Sequence, residues 1–311
     1  MKKNIFNFII ILSFIVLFIE VLINKTLIFT TISYSLNIWV NTLIPSMFPF
    51  FIISDILINY QITSYIPKNL KKILSKLFNT SEEVISIFLL SILSGFPSGA
   101  RNIRTIYDMN KITTKEATHA LTFTHFANLL FVLSTVGILF LNNEKYCYLI
   151  LFSHYLGNIM VGILFRKYNP TNNINYKPNI NKSQSFSNAL IKAIKSSIDT
   201  LLLILGTLTC FLILAALIIN KLNINPYLSS IIKGILEMTM GLKSISLLII
   251  PDIYKVVIST MFISFGGIAV HMQVISQLVD TDISYQPFFI ARIFHSIISG
   301  LISFILFILL F

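Results

Sequence analysis

An apolar run from Val84 to Leu93 ends in the stretch SGFPSGARNIR, residues 94–104. Alone, the run is too short to cross a bilayer, which asks about 20 apolar residues of a helix. Gly95, Pro97 and Gly99 then interrupt it. Glycine tolerates backbone angles that other residues avoid, and proline removes an amide donor. In lipid every unpaired backbone group is costly, so such a break persists only inside protein or beside a wet cavity. Lipid is the relevant solvent here. Of the 311 residues, 55% are hydrophobic and 11% charged, against about 25% charged in soluble domains; the mean hydropathy is +0.83. The stretch reads as a helix that dips into the membrane, turns on Gly-Pro-Gly and returns to the side it left. A Pro-kinked ordinary span is the plainer alternative. Broken helices near the midplane are where transporters bind substrate.

The net charge of +11 comes from basic residues in loops between apolar segments. In that setting they report orientation and anionic headgroups, and no nucleic-acid partner is expected. Cys147 and Cys210 fall in or beside apolar segments with no metal-ligand or disulfide spacing, so they read as packing residues.

Taken in order, residues 1–30 hold an N-terminal transmembrane helix, preceded by Lys2 and Lys3. Residues 31–165 form a first repeat half with an extra span. Its first long helix, Ile32 to Tyr60, carries Pro45, Pro49 and Asp55. Residues 61–83 set Lys68, Lys71, Lys72 and Lys76 between apolar residues at helical spacing, the pattern of an amphipathic helix lying on the membrane; a partner-binding surface is the alternative. Thr113 and Glu116 form a capping box that starts a helix expected to run to about Leu141. That helix has a heavy polar load, with His125 and Asn128 on one face, and the next span pairs His154 with Asn158. Residues 166–194 read as a hydrophilic cytoplasmic linker, and 195–311 as the second repeat half. Within it, 221–255 reads as one lateral helix and a short apolar piece.

The halves resemble each other at one constant offset: Gly95 falls on Gly266, Ile112 on Ile283, Thr113 on Ser284 and Phe123 on Phe294. If Val84–Ala100 crossed the membrane, Arg101, Arg104, Lys111, Lys115 and the linker cations would face outward, against the positive-inside bias. If it dips and returns, they share the cytoplasmic side with the N-terminus. The expected fold is therefore an all-α polytopic membrane protein. It is an inverted repeat with two re-entrant broken-helix hairpins, the second at Gly266-Gly267, meeting near the midplane.

No HExxH, GxSxG, CxxC or phosphate loop is present, so no enzyme, cofactor or metal site is expected. Five histidines and several acids leave an intramembrane hydrolase as the enzymatic alternative. Ionisable groups inside a membrane are functional candidates by default. The residues expected along a substrate pathway are Gly95, Pro97, Ser98, Gly99, Arg101, His125, Asn128, Gly266, Gly267, His271, Gln273 and His295. The plainer reading of each histidine is a hydrogen bond to a backbone carbonyl, and His154 is given that reading. Leu at Ser91 is expected to be milder than Leu at Gly99, and His271→Ala to spare folding.

SGFPSGARNIR, the Thr-capped helix and SHYLGNIMVG, followed by ILEMTMGL, SFGGIAVHMQV and FFIARIFHSIISG, resemble the YlbJ-type sporulation integral membrane proteins. The resemblance covers roughly residues 33–311. It implies a Gate, or nucleoside-recognition, domain similar to nucleoside transporters, a bacterial cytoplasmic or forespore membrane, and a role in forming resistant endospores. The chain departs from the pattern in having Phe96 where members usually have Tyr. It also has Thr124-His125-Phe126-Ala127-Asn128 where they have an Asn-Ser-Gly-Pro-like polar break. On this reading the chain is a permease-like protein for an unknown small polar solute, with the lipid bilayer as its other partner. A non-transporting protein of spore-envelope assembly is the alternative, and self-association is left open.

Overall fold

The computed structural model describes residues 2–60, 65–168 and 185–311. The described residues are helical throughout their ordered elements, and five stretches are long and apolar enough to cross a membrane: 25–58, 144–165, 186–222, 252–278 and 286–310. The chain is thus an all-α polytopic membrane protein in contact with lipid.

Helix α1 (Lys2–Ile23) leads into α2 (Lys25–Ile38) and α3 (Ile44–Asn59), which are joined by a π-helical turn at Trp39–Leu43. The widened turn sits just before Pro45. A proline ring collides with the carbonyl four residues earlier, and opening the helix there relieves the contact. Trp39 anchors the bend by donating Nε1–H to the Leu201 carbonyl at 2.8 Å. Helix α1 is barely joined to the rest: most of its described side chains are exposed. It is held by the Glu20–Lys221 ion pair and an Asn24–Asn220 hydrogen bond of 3.2 Å.

Helix α4 (Lys68–Phe78) is the amphipathic helix expected from its lysines, and it meets α5 (Glu82–Ser94) at 97°. Leu74, Leu77 and Phe78 face the core, while Leu70 and Ile73 are exposed. Asn79 closes α4 in the left-handed conformation, and the Ser81 hydroxyl caps α5. Next come α6 (Ser98–Asp108), folded back against α5, and α7 (Thr114–Leu121). The Thr113 hydroxyl accepts the Glu116 N–H at 3.1 Å, half of the capping box. The Glu116 carboxylate does not return to Thr113. It accepts from Thr80 Oγ1 at 3.0 Å and the Ser81 N–H at 2.7 Å, tying the start of α7 to the α4–α5 corner.

The helix expected to continue to Leu141 does not do so. It stops after Leu121, passes through non-helical backbone, and resumes as a π-type helix at Phe131–Phe140. Then follow α8 (Glu144–Phe165), α9 (Phe186–Leu222), α10 (Pro226–Leu236), α11 (Met238–Ser246), α12 (Asp252–Phe265), α13 (Gly267–Leu278) and α14 (Gln286–Leu310). Most of the expected linker lies outside the described residues, but its last part, from Phe186, is already α9.

The second hairpin is not at Gly266-Gly267. There α12 and α13 do not pack along each other but run on as one membrane-length stretch, 252–278. The hairpin is formed by α10 and α11, which pack closely, with the turn at Glu237. Its arms touch through glycine: a Cβ on Gly241 would lie 2.1 Å from Gly234 Cα. The region 221–255 is therefore this hairpin rather than a lateral helix and a loose piece. Each half presents a long helix, a tight hairpin, an interrupted span and a final helix. The offset that pairs Gly95 with Gly266 is consequently not the structural one. Gly95 turns a hairpin, whereas Gly266 interrupts a span, as the backbone between α7 and Phe131–Phe140 does. Contacts come in exchanged pairs: α6 lies on α13 and α11 on Phe131–Phe140, while α7 touches α14 and α12 touches α8.

Candidate functional site

The tip of the α5–α6 hairpin is built against the first interrupted span. Gly95 has φ +75°, and a Cβ there would stand 2.6 Å from the Asn128 backbone. The Phe96–Pro97 peptide is cis. The Phe96 N–H donates to the Phe126 carbonyl at 2.7 Å, and Asn128 Nδ2 donates to the Ser94 carbonyl at 3.3 Å. At Gly99 the approach is closer still, since a Cβ would fall 2.1 Å from the Thr124 carbonyl oxygen. The Phe96 ring stacks on His125 at 4.8 Å.

The helix loosens into turns at 122–124 and is lost at 125–128, and a backbone break in a membrane must find partners elsewhere. They come from distant helices. Arg292 of α14 donates to the Thr122 carbonyl, to the His125 carbonyl at 3.3 Å and to Asn158 Oδ1 at 3.0 Å. Asn158 Nδ2 in turn donates to the Phe123 carbonyl at 2.8 Å. The Ala127 N–H donates to His154 Nε2 at 3.0 Å, and Asn128 Oδ1 accepts the Phe131 N–H at 3.0 Å, starting the next helical arm.

The second break is held in the same way. Gly266 and Gly267 have φ +90° and +69°, a conformation costly for other residues. The Phe265 carbonyl accepts a hydrogen bond from His271 Nε2 at 3.1 Å, so Nε2 carries a proton, and Nδ1 is hydrogen-bonded to the Tyr285 hydroxyl at 2.7 Å. His154 joins the two breaks. Its Nε2 accepts from Ala127, so its Nδ1 donates to Ser264 Oγ at 3.0 Å. His295 Nε2 donates to the His154 carbonyl at 2.8 Å while its Nδ1 accepts from Arg292 at 2.7 Å. In His154 and His295 one nitrogen faces a group that can only donate, the Ala127 N–H and the Arg292 guanidinium, which makes both rings neutral imidazoles.

Of the expected pathway residues, Gly95, Pro97, Ser98, Gly99, His125, Asn128, Gly266, His271 and His295 gather around this junction. Gly267 also abuts the second hairpin, with a Cβ meeting Met238 N at 3.0 Å. His125 lies beside Gly266, and among the described residues neither its Nε2 nor the buried Ser98 hydroxyl has a hydrogen-bond partner. Gln273 points elsewhere, to Thr207 Oγ1 at 3.0 Å. It lines a small internal cavity of about 20 Å³ with Phe96, Glu237, Thr239 and Ala269, between the two hairpin tips. The buried Glu237 carboxylate caps α11, accepting from the Thr239 and Met240 N–H groups at 3.1 and 2.8 Å. Arg101 stands apart from the breaks. It pairs with Asp55 at 2.5 Å and donates to Ser196 Oγ and Thr200 Oγ1 at 2.9 and 2.8 Å. There it lines an open cleft of about 640 Å³ with Lys192, Lys195, Asp199 and Gln277.

Four residues central to the junction were not on the expected pathway: Arg292, His154, Asn158 and Glu237. An arginine inside the last apolar span and the shared face of His154 and Asn158 were visible signals. The backbone-carbonyl reading given to His154 does not hold: the ring accepts from the Ala127 N–H and donates to the Ser264 hydroxyl, and so fastens both breaks.

Interrupted spans, helical hairpins and a buried polar junction together define an integral membrane protein of the broken-helix class. A family model described as nucleoside recognition, Gate, matches residues 40–144, which include the first hairpin and the first break. The chain is also 26% identical to the sporulation integral membrane protein YlbJ of Bacillus subtilis (strain 168) over 299 aligned residues, covering 84% of this chain and 73% of that one. The two matches support a YlbJ-type protein with a Gate domain. No solved structure matches the chain.

Proposed function

We propose that this chain is a permease-like, non-enzymatic protein that moves a small polar solute across a membrane during sporulation. One observation carries the reading: both interrupted spans and both hairpin tips converge on a buried polar junction. Backbone freed from helical pairing supplies polar groups at membrane depth, which is how secondary transporters hold solutes. The recurrence of elements supports an inverted repeat. The cleft carries Lys192 and Lys195, and the positive-inside bias makes that side cytoplasmic, with the N-terminus. The sporulation setting follows from the printed name of the Bacillus relative.

The exposed lysine face of α4 favours a second reading, a non-transporting organiser of the spore envelope. Solvent access separates the two. In a background without Cys147 and Cys210, cysteines at Ser98 and Ala269 are treated with a polar, membrane-impermeant thiol reagent from each side. Transport requires at least one of them to react, and to do so more slowly when the solute is present. If both are inert from both sides while a cysteine at Lys195 reacts, no aqueous path reaches the junction and the permease reading falls. Comparing the small polar solutes of spores formed with and without the protein then names the cargo.

A further inference from the structure

We propose that the Arg292 guanidinium occupies the place of a coupling cation, so that the junction works without binding sodium or another alkali ion. The idea rests on the permease reading. Broken-helix carriers that couple to sodium hold the ion with carbonyls freed at the unwound backbone and at half-helix C-terminal ends. Here the corresponding oxygens are the Thr122 and His125 carbonyls, beyond the end of α7, with Asn158 Oδ1 from α8. All three converge on one guanidinium. They are neutral, hard oxygen ligands of the kind an alkali ion takes.

The charge is also neutralised as an alkali ion's would be. Arg292 is fully buried, and among the described residues it forms no ion pair. Its fourth partner is the neutral His295 ring. Carbonyl dipoles and the C-terminal end of α7 are thus the counter-charge, since helix C-termini favour cations. Arginine suits the position because its planar fork reaches several acceptors at once, where lysine offers a single point charge. Tethered to α14, the charge cannot leave, and an ion gradient has no purchase on this site.

The test is equilibrium binding on the purified full chain in lipid nanodiscs, which requires no flux. Thermal unfolding is measured in sodium, potassium and choline chloride at equal ionic strength for the natural protein, Arg292→Lys and Arg292→Ala. The expected result is one midpoint in all three salts for the natural protein and for Arg292→Lys. Arg292→Ala should melt lower in choline and rise by about 3 °C or more with sodium or potassium, saturably, as the emptied oxygen cage takes an ion. A saturable alkali-ion shift in the natural protein would overturn the proposal. So would a folded Arg292→Ala that responds equally to all three salts. If Arg292→Ala cannot be recovered in any salt, radioactive sodium binding to the natural protein decides: none supports the proposal, and stoichiometric binding refutes it. Loss of the permease reading by the cysteine test would leave these binding results unchanged, so the two failures are separable.

Discussion

At Gly99 the α5–α6 hairpin comes so close to the first break that a single methyl would meet a carbonyl oxygen at 2.1 Å. Gly99→Ala should therefore lower stability by about 2 kcal/mol or more, through overpacking at a contact between two backbones. The check is membrane abundance together with the thermal midpoint of the purified variant. Ser91→Leu should not be the milder control that its position before the break suggests. Ser91 is fully buried and its hydroxyl lies 3.2 Å from the same imagined methyl. His271→Ala is likewise a structural change, because it strips the Phe265 carbonyl and the Tyr285 hydroxyl of their partner. The strongest residue-scale prediction concerns His154. Its alanine variant leaves the Ala127 N–H and the Ser264 hydroxyl without that partner, at a cost of about 1–3 kcal/mol per stranded group. Tyr155→Phe, which loses one hydroxyl bond of 3.0 Å to Ile92, should cost clearly less in the same melting experiment. Equal losses would mean that His154 does not fasten the breaks.

At the scale of elements, what the sequence made legible depended on whether the cause was local. The turn at Gly95–Gly99 and the interruption at Gly266-Gly267 show themselves because glycine and proline act on their own backbone. The break at 122–128 contains neither residue. It is held open by Arg292, Asn158 and His154 from α8 and α14, and no local pattern announces partners that distant. The hairpin at Glu237 was missed for a related reason. Its turn needs only a carboxylate to cap α11, and an acid between two apolar pieces reads as an interruption rather than a corner. Helix α4 was legible because its lysines and apolar residues alternate at helical spacing. Changing Lys68, Lys71, Lys72 and Lys76 to Gln should weaken binding to anionic bilayers by about 1 kcal/mol per cation while leaving the core folded. The measurement is the dependence of the thermal midpoint on anionic lipid content, which should flatten in the quadruple variant.

Across the whole molecule, the packing of α5 on α6 predicts that both ends of the first hairpin lie on one side. Reporters inserted after Asn79 and after Lys111 should give the same topological reading, and opposite readings would turn the hairpin into a crossing. The fold class was readable from composition and segment length, whereas the register of the recurring halves was not: a few identities pointed to one offset and the order of elements to another. Helix α1 lies outside that recurrence, with most of its described surface turned away from the protein. A segment so placed draws its stability from acyl chains rather than from neighbours, and so carries little of the tertiary information. It behaves as interchangeable cladding. Replacing residues 7–19 with an unrelated apolar helix, with Glu20 and Asn24 kept, should move the stability of the remainder by no more than about 0.5 kcal/mol. The same exchange in α9, packed along α2 and α3, should prevent assembly.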